Sequence, residues 1–176
     1  FGTEYSRIFR STDNGASWDW AYHSPLWNSI AWSDPANGWI VSGSYVGTDG
    51  YAYRTTDGGT TWDRILAADN ETGCVDLLLR PDQPQVLLAA LWERVRAPER
   101  HDYGGTSCAV WRSDDGGDSW QLVQGGLPPP TSDSGRIGLS LCAAQPDRMV
   151  AVYADSVGYF DGLYRSDDGG QSWVRT

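Results

Sequence analysis

Apolar and aromatic residues come in short bursts along this chain, separated by clusters of Gly, Asp, Ser and Pro. Four bursts end in Arg: Arg7-Ile8-Phe9-Arg10, Tyr51-Ala52-Tyr53-Arg54, Ala109-Val110-Trp111-Arg112 and Gly162-Leu163-Tyr164-Arg165. Others flank a Pro-containing break: Ser29 to Trp32 before Trp39 to Val41, Val75 to Leu79 before Val86 to Leu91, and Ile137 to Ala143 before Met149 to Tyr153. Bursts of this length, bounded by turn residues, predict strands. No stretch sustains apolar residues at i, i+3, i+4 and i+7, and Pro98 breaks the nearest candidate, Trp92 to His101. The pattern predicts an all-β chain.

Each Arg-ended burst runs into the same octet, S/T-x-D-x-G-x-x-W. Its copies are Ser11 to Trp18, Thr55 to Trp62, Ser113 to Trp120 and Ser166 to Trp173. An extended run opens at each Trp, so the octet reads as a tight corner between two strands. Asp13, Asp57, Asp115 and Asp168 are placed to accept backbone N–H bonds from one or two residues on, closing an Asx-type turn. Gly15, Gly59, Gly117 and Gly170 supply positive φ without steric cost. Trp18, Trp62, Trp120 and Trp173 are expected to fold back, bury their rings and donate the indole N–H to a carbonyl. Asp114, Asp115 and Asp118 crowd one copy, but the D-x-[DN]-x-[DN]-G loop with its twelfth-position Glu is absent, so no calcium site is read here.

These octets resemble Asp-boxes, the repeat of sialidases, sortilin-type receptors, certain xyloglucan-cleaving glycosidases and a photosystem assembly factor family. The resemblance covers nearly the whole chain. It implies a β-propeller with the box between the third and fourth strands of each four-stranded antiparallel blade.

With strands lettered A to D, the Pro turn joins A to B and the octet joins C to D. From Pro35 to Asp57, and from Pro146 to Asp168, is 22 positions; from Pro81 to Asp115 is 34, so twelve residues are inserted between B and C of the middle blade. A second excess lies at Gly125 to Gly135, which contains Pro128-Pro129-Pro130. In a meander, A–B and C–D turns share one rim while B–C and D–A loops share the other. Both insertions therefore belong to the rim opposite the octets, where function is expected. The blades divide as 1–24 (a half blade, C and D only), 25–68, 69–125 and 126–176. The expectation is one partial propeller of about three and a half blades, a segment of a ring of seven or more.

Composition narrows the function. A net charge of −10 argues against nucleic acid or an anionic membrane surface as partner. No apolar run approaches the length of a membrane span. Cys74, Cys108 and Cys142 have no metal spacing and form no disulfide framework, which leaves them as small buried hydrophobes. No cofactor or metal is implied.

The richest loop runs from Trp92 to Gly105. It supplies Glu93, Arg94, Arg96, Glu99, Arg100, His101, Asp102 and Tyr103 as candidate binding residues, joined on the same rim by Trp27, Tyr45, Tyr159 and Phe160. Aromatics beside carboxylates suit a sugar or a protein surface alike. The run is read as a solvated, self-paired cap in preference to a source of acid/base carboxylates, with protein contact between the two. Sialidase chemistry fits poorly: Arg7-Ile8-Phe9 and Arg136-Ile137-Gly138 both lack the Pro of the Arg-Ile-Pro start, and no catalytic residue is assigned. Two readings stand. One is a non-catalytic scaffold that binds a protein partner or the remaining blades, with carbohydrate as a further candidate. The other is part of a secreted glycoside hydrolase whose catalytic residues lie mostly elsewhere. Both point outside the cytoplasm.

Overall fold

The computed structural model describes residues 6–24, 27–43, 51–67, 69 and 71–176, with backbone alone described at 6, 22–24, 27, 28 and 96. Every helix or strand among them is a strand. β1 (Ser6–Arg10) pairs antiparallel with β2 (Asp19–Ser24). β3 (Trp27–Trp32), β4 (Gly38–Ser42), β5 (Tyr51–Thr55) and β6 (Asp63–Ala67) form the first four-stranded sheet. β7 (Thr72–Leu79) and β8 (Leu87–Glu93) open the second, and a hairpin of β9 (Val95–Ala97) and β10 (Arg100–Asp102) interrupts it before β11 (Val110–Ser113) and β12 (Gln121–Leu122) complete it. β13 (Ser134–Cys142), β14 (Gln145–Asp155), β15 (Phe160–Ser166) and β16 (Val174–Arg175) form the third. Each four-stranded sheet is an up-and-down meander of antiparallel pairs, a propeller blade.

The blades stack face to face. β7 packs between β3 and β13, so the first strands of successive blades are neighbours on the inner side of the fan. Strand alternation then fills the gaps. Trp39, Val41 and Ala52 of one blade meet Cys74, Leu77, Leu87, Ala89 and Leu91 of the next. The other faces of the same strands send Leu88, Ala90 and Val110 against Ile137, Leu139, Met149, Ala151 and Tyr153. Near the inner side Asp76 Oδ2 accepts the Leu139 N–H at 2.8 Å, a polar tie between two first strands.

All four octets take one geometry. The first-position hydroxyl donates to the Asp (Ser11 to Asp13, Thr55 to Asp57, Ser113 to Asp115, Ser166 to Asp168) and accepts the N–H of the fifth-position Gly. Positions four and five both lie at positive φ, as Asn14 (58°) and Gly15 (88°) or as a Gly pair such as Gly116 (76°) and Gly117 (101°). That double left-handed step changes the expected hydrogen bonding. The Asp accepts N–H groups three and four residues on rather than one or two, at Ser17, Thr60, Thr61, Ser119, Gln171 and Ser172. The seventh-position hydroxyl adds a bond to the same carboxylate. The Trp indole N–H donates to the fifth-position carbonyl in every copy.

Several details depart from the sequence expectation. The fourth strands begin one residue after the Trp. Pro146 lies inside β14, at a register shift opposite Leu141 and Cys142, where a residue without an N–H is tolerated. Cys142 is exposed, whereas Cys74 and Cys108 are buried. The box rings are buried unequally: Trp62 and Trp173 are inside, Trp120 is half-buried, and Trp18 is 61% exposed. Trp62 meets Trp32 of its own first strand edge-on at 6.0 Å; among the described residues no such ring packs on Trp18 from the β1–β2 sheet.

Candidate functional site

Hydrogen bonds separate the two rims. In each four-stranded blade the fourth-position Gly N–H of the box donates to the junction of the first two strands: Gly58 to Ala36 O, Gly116 to Gln85 O, Gly169 to Asp147 O at the start of β14. On the opposite rim, loops between second and third strands bond to connections between blades: Arg94 N–H to Glu71 O, Gly105 N–H to Ser134 O, and Ser156 N–H to Asp133 O. The candidate residues that are described belong to this second rim.

The inserted loop is structured by its own polar groups. β9 and β10 pair Val95 with Asp102 and Ala97 with Arg100, and Pro98 and Glu99 make the turn. No apolar alternation announces this hairpin; only Pro98 hints at a corner. Arg100 bridges Glu71 Oε1 at 2.6 Å and Asp102, so two candidate charges are spent on each other and on Glu71, tying the hairpin to the connection before β7. Glu93 accepts the Ser107 N–H, and its carboxylate lies where a Cβ on Gly105 would fall, within 2.0 Å of Oε2. Asp69 accepts the Ser107 hydroxyl; burial acts to raise its pKa, but bonds from Thr72, Glu71 and Ser107 outweigh that and hold it below its ordinary value. Glu99 and His101 are exposed at the hairpin tip.

Two aromatic features stand on this rim. Trp92 stacks on Tyr103 with centroids 6.5 Å apart and planes 29° apart, and its indole N–H donates to Tyr103 O at 2.7 Å. Arg94 and Arg136 both lie within cation–π range of the Trp92 ring, at 5.2 and 5.8 Å from its centroid. The second feature is the β14–β15 loop, where Tyr159 and Phe160 are 73% and 71% exposed. Asp155 Oδ1 accepts the N–H groups of Val157 and Tyr159 and sets that tip. The Ser134 and Asp133 bonds join the two loops through one connection. Tyr45 and the side chains of Trp27 and Arg96 lie outside the described residues.

Glycoside hydrolysis needs a carboxylic acid whose pKa is raised. Among the described residues every displaced carboxyl moves downward: Asp13, Asp34 and Asp57 to about 2, and Asp69, Asp82, Asp115 and Asp167 in the same direction. Burial works against the shift at Asp168, yet bonds from Ser172 and Ser166 still bring it to about 2. These displaced carboxylates, among the described residues, act as hydrogen-bond acceptors.

A family model described as the BNR/Asp-box repeat matches residues 164–175. A xyloglucanase from a Paenibacillus species is 28% identical over 194 aligned positions, covering 96% of this chain and 18% of the relative, so the chain spans less than a fifth of that protein's length. Among solved structures, the GH74 enzyme of Niastella koreensis is similar with a TM-score of 0.65 at 18% identity, over 95% of this chain and 26% of the other. The GH74 xyloglucanase from Xanthomonas campestris gives 0.68 at 16% identity, over 95% and 26%. An ancestral GH74 enzyme gives 0.69 at 17% identity, over 96% and 21%. Likeness at these identities establishes the fold. The chain thus folds as blades of a β-propeller, with a BNR/Asp-box repeat matched at residues 164–175 and corners of the same construction at three further places.

Proposed function

We propose that this stretch is the polysaccharide-binding, non-catalytic part of a xyloglucanase-like propeller, working outside the cytoplasm on a β-glucan of the xyloglucan kind. The observation that carries the reading is the aromatic rim: Tyr159 and Phe160, exposed on the β14–β15 loop, beside the loop where Tyr103 stacks on Trp92. Exposed rings offer flat apolar faces with polar donors at their edges, which is what a sugar ring requires. Similarity over 96% of this chain to a stretch of a xyloglucanase supports the substrate class.

The test is affinity electrophoresis through gels containing xyloglucan, cellulose derivative or mannan. Xyloglucan should retard the protein, and no reducing ends should form. Trp92→Ala with Tyr103→Ala, or Tyr159→Ala with Phe160→Ala, should each weaken retention about tenfold, equivalent to about 1.4 kcal/mol. Equal migration in all gels would refute the reading.

A further inference from the structure

Two junctions join the three four-stranded blades, and their outer parts differ. At the first, Arg54 latches onto the following blade: its Nη1 donates to Gly116 O at 3.2 Å and pairs with Asp118 Oδ1 at 2.7 Å. Ile65 packs against the same corner, since a Cβ on Gly117 would fall 2.5 Å from its Cδ1. Ile65 is the extra residue at a register shift, with Ala52 paired to Leu66 and Tyr53 to Arg64. Side chains thus fill this junction.

The second junction keeps the latch and loses the filling. Arg112 Nη1 donates to Gly169 O, but Gln171 stands where the first junction has Asp118. Arg112 turns to Asp114 of its own octet instead, with Nε and Nη2 at 3.0 and 2.6 Å from Oδ1. Val123, one methylene smaller, follows its Trp at the spacing of Ile65, and β12 before it pairs without a shift. A Cβ on Gly170 would accordingly meet Leu88 and Met149 of the core first. What remains is a cleft of about 400 Å³ between the last strand of one blade and the octet of the next. Of the chain's six Gln, three line it: Gln121, Gln124 and Gln171. Gln121 and Gln124 are exposed, and among the described residues their carboxamides have no protein partner.

We propose that this cleft binds a neutral mono- or disaccharide, through hydrogen bonds rather than ring stacking. The site is separate from the aromatic rim and does not rest on that reading. Each carboxamide sets an acceptor beside two donors. The Arg112–Asp114 pair does the same: three of the five guanidinium donors are engaged, and among the described residues Asp114 Oδ2 is left to accept. Vicinal hydroxyls, which donate and accept side by side, match such neighbouring groups. The charged lining residues of the cleft, Arg112 and Asp114, already neutralise each other, which favours an uncharged ligand. Leu122 and Val123 add apolar contact for the C–H edges of a pyranose, and the volume suits a small ligand.

The experiment follows the side-chain carboxamide signals of the ¹⁵N-labelled 176-residue chain by NMR during titration with glucose, xylose and cellobiose. Signals of Gln121, Gln124 and Gln171 should shift saturably with at least one of these sugars. Glucuronate and glucosamine should bind at least tenfold more weakly. Gln121→Ala with Gln124→Ala should weaken binding at least tenfold and leave the melting midpoint in place, because both side chains are exposed. Val123→Ile, which restores the side chain of the first junction, should have the same effect by filling the cleft. Carboxamide signals that stay fixed with all three neutral sugars overturn the proposal. So do equal shifts with glycerol, which would mark an adventitious additive only, or tighter binding of diglycine, which would make a peptide the ligand. Loss of the response in Tyr159→Ala with Phe160→Ala would place sugar binding on the rim and overturn the cleft site, whereas failure of the cleft variants alone leaves the rim reading standing.

Discussion

Arg80 Nη2 sits 2.9 Å from Asp147 Oδ1, joining the end of β7 in one blade to the start of β14 in the next. The guanidinium is 5% exposed and also holds Asp82 at 2.8 Å, while both carboxylates are largely in water. The dependence is therefore one-sided. Arg80→Ala removes the buried hub and its packing against Gly169, and should cost about 2–3 kcal/mol, the range for charge-assisted hydrogen bonds. Asp147→Ala leaves Arg80 its partner Asp82 and should cost about 0.5 kcal/mol. Urea unfolding of the two variants checks the asymmetry; equal losses would mean that the inter-blade pair, rather than the hub, carries the stability.

The four box tryptophans should not be equivalent. Trp62→Ala and Trp173→Ala, which empty buried sites, should each cost about 3–5 kcal/mol. Half-buried Trp120 should cost about half as much by apolar area. Trp18→Ala, at 61% exposure, should change stability by less than about 1 kcal/mol. Denaturant midpoints for the series test whether ring burial, and not the shared indole bond, sets the cost. Equal losses at all four positions would point to the indole–carbonyl bond.

What the sequence made legible follows from where the information sits. The corners were readable because each is closed within eight residues and written four times, so Asp13 and Gly15 announce their roles without knowledge of the fold. The seventh-position hydroxyl (Ser17, Thr61, Ser119, Ser172) was equally regular in all four copies, yet its bond depends on two consecutive positive-φ residues that spacing alone does not reveal. The unequal burial of Trp18 and Trp62 was not readable, because the ring above Trp62 belongs to Trp32, thirty positions earlier. The Arg latches also join residues far apart in sequence, as from Arg54 to Gly116. The β9–β10 hairpin hid because charged residues satisfied by ion pairs need no apolar alternation. For the rim, sequence gave the residue types, and only coordinates showed which were already spent on one another.

The octet carboxylates give the fold an acid limit. Hydroxyl and backbone bonds, led by Ser17 at Asp13 and Thr61 at Asp57, lower these two groups from an ordinary 3.8 to about 2. Between those values the unfolded chain binds more protons than the folded one, so falling pH drains stability across the window from about 4 to about 2. Above it the contribution is fully present. Thermal midpoints should therefore hold steady from neutral pH to about 4 and then drop. Asp57→Asn should lower the neutral midpoint and flatten the acid slope; a slope unchanged by that substitution would place the acid sensitivity elsewhere.

Gly104 and Gly105 let the inserted loop close against its neighbours, and the two should respond differently to a methyl group. At Gly105 the added Cβ would fall within 2.0 Å of Glu93 Oε2, the end of a side chain that can rotate away. At Gly104 it would fall 2.3 Å from the carbonyl oxygen of Ser134 and 3.0 Å from Ser156 Cα, where relief requires moving the next blade's backbone. Gly104→Ala should accordingly cost about 2–3 kcal/mol and Gly105→Ala about 1 kcal/mol, the lower part of the overpacking range. Their effects on the rim should reverse that order. Displacing Glu93 breaks its bond to the Ser107 N–H and loosens the segment that carries Tyr103, so Gly105→Ala should weaken retention on xyloglucan gels more than its small stability loss suggests. Retention that instead follows stability across both variants would show that the loop binds, if at all, without help from the Glu93 anchor.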